Sequence, residues 1–123
     1  MRRAGLKIIE TLLESQTVLI ANREAAADPV KRQAMADIEM LLLGAMAARG
    51  RVLVKLNVSA ADLDQVLAIL PSMKSPTISK LSSGEAYAVE TVVEKTKINV
   101  LIPALKERGA SDIVELPISK IVP

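Results

Sequence analysis

The sequence contains no cysteine, no histidine, no tryptophan and no phenylalanine, and one tyrosine in 123 residues. Without cysteine there can be no disulfide and no thiol nucleophile, and without histidine there is no imidazole base. The two absences together remove the usual ligands of structural zinc. A chain without cysteine suits a reducing compartment, and a cytoplasmic location is expected. A lone aromatic provides no stacking platform for single-stranded nucleic acid. The balance of 16 basic and 14 acidic residues, net +2, is too even to mark a phosphate-binding surface. No nucleic-acid partner is therefore expected. No apolar run approaches the ~20 residues that span a bilayer. Met1-Arg2-Arg3 is basic but is followed by no secretory core and cleavage site, so no membrane partner is expected either. The five glycines, Gly5, Gly44, Gly50, Gly84 and Gly109, fall in no nucleotide-binding spacing.

What remains is half hydrophobic and long enough for one modest domain with an appendage. Residues 6–13 read equally as helix or strand, and Thr17–Ile20 is β-rich up to a polar break at Asn22. Residues 1–27 are thus expected to form a β-rich arm that needs partners. Asp28 followed by Pro29 is a helix start, since the carboxylate accepts from the first free amides and proline has no N–H to leave unpaired. Ala34, Ile38, Leu41, Leu42 and Ala45 repeat at helical spacing, and Gly50 is a natural stop. Residues 28–50 are read as a linking helix.

From Arg51 onward the pattern changes. Residues 51–58 read as a strand, Ser59 with Asp62 as a capping box, and Leu63, Val66, Leu67 and Leu70 as a helical stripe. A polar loop bracketed by Pro71 and Pro76 follows. Proline at 76 restricts Ser75 to extended geometry, so the Ser75 and Thr77 hydroxyls are presented by a pinned segment. Residues 77–81 and 86–93 read as a hairpin around Ser82-Ser83-Gly84-Glu85. Tyr87, Val89, Thr91 and Val93 fall on one of its faces, and Ala86, Ala88, Glu90 and Val92 on the other. Ile98, Leu101, Ile102 and Leu105 predict a helix that either starts late or bends at Pro103. Residues 112–118 close the pattern as a strand, with Pro117 at an edge. The order β-α-β-β-α-β predicts an α+β, ferredoxin-like domain over residues 51–123: a four-stranded antiparallel sheet with two helices on one face.

Fold alone does not name a function, and the scattered carboxylates assemble no nucleophile with a base. The residues read as a binding or regulatory module. Two classes stay open: a ligand-binding regulatory domain, and a stand-alone interaction domain with no small-molecule ligand.

The stretches GLKIIETLLESQTVLIAN (5–22), LPSMKSPTISKL (70–81), Ala88-Val89 and GASDIVELPISKIV (109–122) resemble, in order and spacing, the C-terminal portion of long-form ATP phosphoribosyltransferases. That family condenses ATP with phosphoribosyl pyrophosphate, using magnesium, in the first step of L-histidine biosynthesis. The resemblance implies that residues 1–27 correspond to the end of the catalytic region and 51–123 to the regulatory domain. Met1–Gly5 resembles the segment just after the family's diphosphate-sugar loop. The chain is therefore expected to be a C-terminal fragment, split subunit or truncated frame that lacks catalysis by itself and has no cofactor of its own. The resemblance further implies that L-histidine binds as feedback inhibitor, that regulatory domains form a homo-oligomer, and that the catalytic lobes are a further partner. By position, Ser75 and Thr77 match the polar loop ligands and Val92 an apolar wall. Asn57 stands where some members carry an aspartate, a departure that removes an ionic partner. Asp112 stands where small residues are common and is expected to replace part of that charge.

Overall fold

A computed structural model describes residues 5–71 and 75–123. Met1-Arg2-Arg3 and the middle of the Pro71–Pro76 loop, both singled out above, lie outside the described residues. The chain divides into two units, one up to Met35 and one from Ala36 to Pro123.

In the first unit, residues 6–22 form neither helix nor strand. The arm's β-rich segments therefore do not become strands here. A strand is completed by ladder hydrogen bonds from a neighbour, and the sheet of this chain takes its four strands from residues 51 onward. The side chains of Ile9, Leu12 and Ile20 are more than nine-tenths exposed. A short helix that the periodicity did not announce, α1 (Arg23–Ala27), follows. Its start is the polar break at Asn22, whose Oδ1 accepts from the Ala25 amide at 2.7 Å. Asp28 ends it and starts α2 (Pro29–Ala48) as expected, accepting from the Val30 and Lys31 amides at 2.9 and 3.3 Å.

In the second unit, α2 ends before Gly50, which has a positive φ of 74°. The sheet follows: β1 (Arg51–Ser59), β2 (Thr77–Lys80), β3 (Ala86–Glu94) and β4 (Ser111–Pro117), with α3 (Leu63–Ile69) and α4 (Ile98–Glu107) as the two crossovers. The strand order is β2-β3-β1-β4, and every pair is antiparallel. This is the ferredoxin-like arrangement read from the element order, with Pro117 at the end of an edge strand.

One sheet face carries the core. Val52, Val54, Leu56 and Val58 alternate along β1, and Val89 and Val93 along β3. They pack with Val66 of α3 and with Ile98, Leu101 and Leu105 of α4. The 3–4 spacing of the α4 residues puts them on one stripe. That helix starts at Ile98, after a single 3₁₀ turn at Lys95–Lys97, so it does not begin late, and it runs through Pro103. Pro103 is exposed, which keeps its ring out of the core. The α4 terminus is a Schellman motif. The Ala110 amide donates to Leu105 O at 3.0 Å and the Gly109 amide to Lys106 O at 3.2 Å, with Gly109 at φ 95°. The Ser59–Asp62 pair forms, with Ser59 Oγ accepting from the Asp62 amide at 3.3 Å and donating to Asp62 Oδ2 at 3.0 Å, one turn ahead of α3.

The apolar face read on the linking helix is not buried within this chain. Ile38, Leu41 and Leu42 are about half exposed, while Gly44 and Ala48 are buried. Among the described residues no helix is long and apolar enough to cross a membrane.

Candidate functional site

Helices α3 and α4 pack on the first sheet face, and the alternate residues of the strands form the second. Period-2 alternation places Leu53, Lys55 and Asn57 of β1 there, together with Ala88, Glu90 and Val92 of β3. Cross-strand register aligns them: Leu53 opposite Val92, Lys55 opposite Glu90, Asn57 opposite Ala88. On β2, Thr77 stands opposite Glu90 and Ser79 opposite Ala88. The five residues singled out in the sequence fall into two groups on this face.

The first group is Ser75, Thr77 and Val92. They line one open groove of about 360 Å³ together with Leu53, Glu90 and the C-terminal residues Ile121–Pro123. Both hydroxyls are exposed, so each can donate to and accept from a ligand. Val92 and Leu53 form an apolar floor. Glu90 brings a carboxylate, held by Lys55 Nζ at 3.3 Å across the strands. Half-exposed pairs of this kind contribute little to stability, roughly 0–1 kcal/mol. Their effect here is to fix a charged rim beside the Thr77 hydroxyl.

The second group is Asn57 with Asp112. Asn57 Nδ2 donates to Asp112 Oδ2 at 3.2 Å. A bulge brings them together. Lys55 pairs with Val114 but Asn57 pairs with Ser111, so β4 carries one extra residue in this interval. Asp112 lies in that interval at φ 49°, a left-handed conformation that aspartate tolerates better than most residues. The extra residue redirects the Asp112 carboxylate toward β1. The side chains at positions 57 and 112 are thus in direct contact.

The two groups are two strands apart, with β3 between them. At about 4.8 Å per strand and about 3.4 Å per residue, and with Thr77 two residues along the strand from the Asn57 row, the two stand roughly 12 Å apart. Ala88 is the small residue between them in the Asn57 row.

Sequence reasoning did not single out Glu90, Leu53 or the tail. Alternation had already set Glu90 on the same face as Val92, and that was the available signal. Among the described residues, no three carboxylates converge to hold a metal ion.

A family model described as "HisG, C-terminal domain" matches residues 48–120, the stretch that builds this sheet and both its crossover helices. The chain belongs to that family. Among its relatives, an ATP phosphoribosyltransferase of Pelotomaculum thermopropionicum is 47% identical over 123 residues, all of this chain and 43% of the relative. One from Solibacter usitatus is 48% identical over 122 residues, covering 99% of this chain and 42% of its own length. One from Chlorobium chlorochromatii is 44% identical over 122 residues, again with 42% of its length covered. The chain spans less than half the length of these curated relatives. The match to them includes the arm as well as the HisG C-terminal domain.

Proposed function

We propose that this chain is the regulatory portion of an ATP phosphoribosyltransferase, in which condensation of ATP with phosphoribosyl pyrophosphate, with magnesium, belongs to catalytic lobes that partner it. In this reading the sheet face opposite α3 and α4 binds L-histidine, the end product, and copies of the domain assemble into a homo-oligomer in the cytoplasm. The observation that carries the ligand reading is the placement of Ser75, Thr77, Val92, Asn57 and Asp112 on one face, in two polar groups.

Histidine offers an ammonium, a carboxylate and an imidazole. The Thr77 and Ser75 hydroxyls suit the carboxylate, the Asp112 carboxylate suits a cationic nitrogen, and Val92 with Ala88 suits the ring and backbone carbons. A hydrogen bond to a charged group contributes roughly 1.5–3 kcal/mol. Asp112 already accepts one bond from Asn57, so the affinity is expected to be modest, with Kd in the ~10–1000 μM range. Calorimetric titration of histidine into the folded chain tests this. Thr77→Ala is expected to raise Kd roughly tenfold. No heat and no shift in Tm at millimolar histidine refutes the ligand.

One observation favours the second reading, an interaction domain without a ligand. Among the exposed apolar side chains of the second unit, a run on α2, Ile38, Met40, Leu41, Leu42, Leu43 and Met46, lies away from the groove residues in sequence and calls for a protein partner whether or not histidine binds. Retained self-association with no histidine binding would support that reading.

A further inference from the structure

The groove is not built by the sheet alone. Ile121, Val122 and Pro123 line it with Leu53, Thr77 and Val92. The same tail is seated on helix α2. The Ile121 amide donates to Gly44 O at 2.9 Å. A Cβ placed on Gly44 would stand 3.0 Å from Val122 Cγ2 and 3.3 Å from Ile121 O. Glycine weakens a helix interior relative to alanine, and Gly44 lies four residues before the end of α2 without a positive φ to require it. Its physical justification is the close approach of the tail. Gly44 is also buried where its neighbours Leu41, Leu42, Leu43 and Met46 are about half exposed or more.

We propose that residues 120–122 act as a strap that couples occupancy of the groove to helix α2, with Gly44 as its seat. The proposal rests on the histidine reading of the groove. A ligand that touches Val122 or Ile121 binds the seated strap more tightly than the released one. By linkage it holds the strap on Gly44, and anything that lifts the strap from Gly44 weakens the ligand by the same factor. Gly44 itself is not among the groove-lining residues, so its substitution reaches the ligand only through the strap.

The test uses the whole chain, histidine as probe, and Gly44→Ala, Val122→Ala, the double variant and Thr77→Ala. Gly44→Ala adds one methyl against Val122 while improving helix propensity, so its Tm is expected to hold or rise. Its histidine Kd is expected to increase roughly three- to tenfold, the range of one lost hydrogen bond. In the Val122→Ala background the same change is expected to cost less, because the nearest side chain is gone and the Ile121 carbonyl at 3.3 Å is the closest contact left. Hydrogen exchange at the Ile121 amide is expected to slow several-fold in the wild type on adding histidine, and to be fast in Gly44→Ala. If Thr77→Ala weakens histidine but Gly44→Ala binds as the wild type does, the strap is overturned and the ligand reading stands. If the wild type binds no histidine at millimolar concentration, both fall. Should Gly44→Ala fail to fold, histidine-dependent protection of Ile121 in the wild type decides: its absence at saturation overturns the strap.

Discussion

Single residues set the limits of this fold, and Gly109 shows how. It is the left-handed stop of α4, and it also touches the residue that precedes α3. A Cβ at 109 would fall 2.5 Å from Asp62 Oδ2 and 3.0 Å from Asp62 Cβ. The carboxylate is tied to Ser59 and cannot swing away without breaking that bond, and a Cβ contact cannot swing at all. Gly109→Ala therefore combines a left-handed alanine with a steric overlap, and is expected to destabilise the domain by about 2 kcal/mol or more, measured by urea unfolding. The sequence announced the stop but not the neighbour. A glycine after a helical stripe is a local signal, whereas the approach of Asp62 depends on how two crossover helices pack. The same distinction governs the candidate site. Ser75, Thr77 and Val92 were legible through resemblance and alternation. The Asn57–Asp112 bond depends on a bulge in β4, and a period-2 reading has no means of seeing an extra residue.

Elements were legible wherever one face of a repeating pattern meets the core. Strands β1 and β3 and helices α3 and α4 all carry that signature between residues 51 and 107, whereas β2, exposed along its length, was legible from the turn that joins it to β3. The arm was not legible, because Thr17–Ile20 has strand-forming side chains and strand formation is decided by a partner. Helix α4 holds an internal conflict of its own. Pro103 occupies the second turn, where it cannot donate to the Asn99 carbonyl and crowds it. Because Pro103 is exposed, its replacement disturbs no buried contact. Pro103→Ala is expected to raise Tm, through a gain of up to ~3 kcal/mol in helix propensity, reduced by the greater freedom of the unfolded chain. Circular dichroism melting checks it. An unchanged or lower Tm would mean that the proline is compensated by packing that the exposed position does not reveal.

At the scale of the molecule, two regions leave apolar surface uncovered. The arm exposes Ile9, Leu12, Leu13 and Ile20, and within the second unit α2 exposes Ile38, Leu43 and Met46. Water-exposed surface of this kind drives association. Sedimentation at low micromolar concentration is expected to show at least a dimer, and a single 13.2 kDa species at all concentrations would refute the expectation. The strand order has a further consequence for how the chain is made. β1, the first strand of this sheet in chain order, sits in its interior and bonds to β3 and β4, both of which come later. Until β3 has emerged β1 has only helix α3 to pack against and no strand partner, and until β4 has emerged one flank stays open. The nascent chain must therefore carry the valine- and leucine-rich stretch from 52 to 58 without a strand partner while the residues up to β3 are added, the interval in which chaperone capture competes with folding.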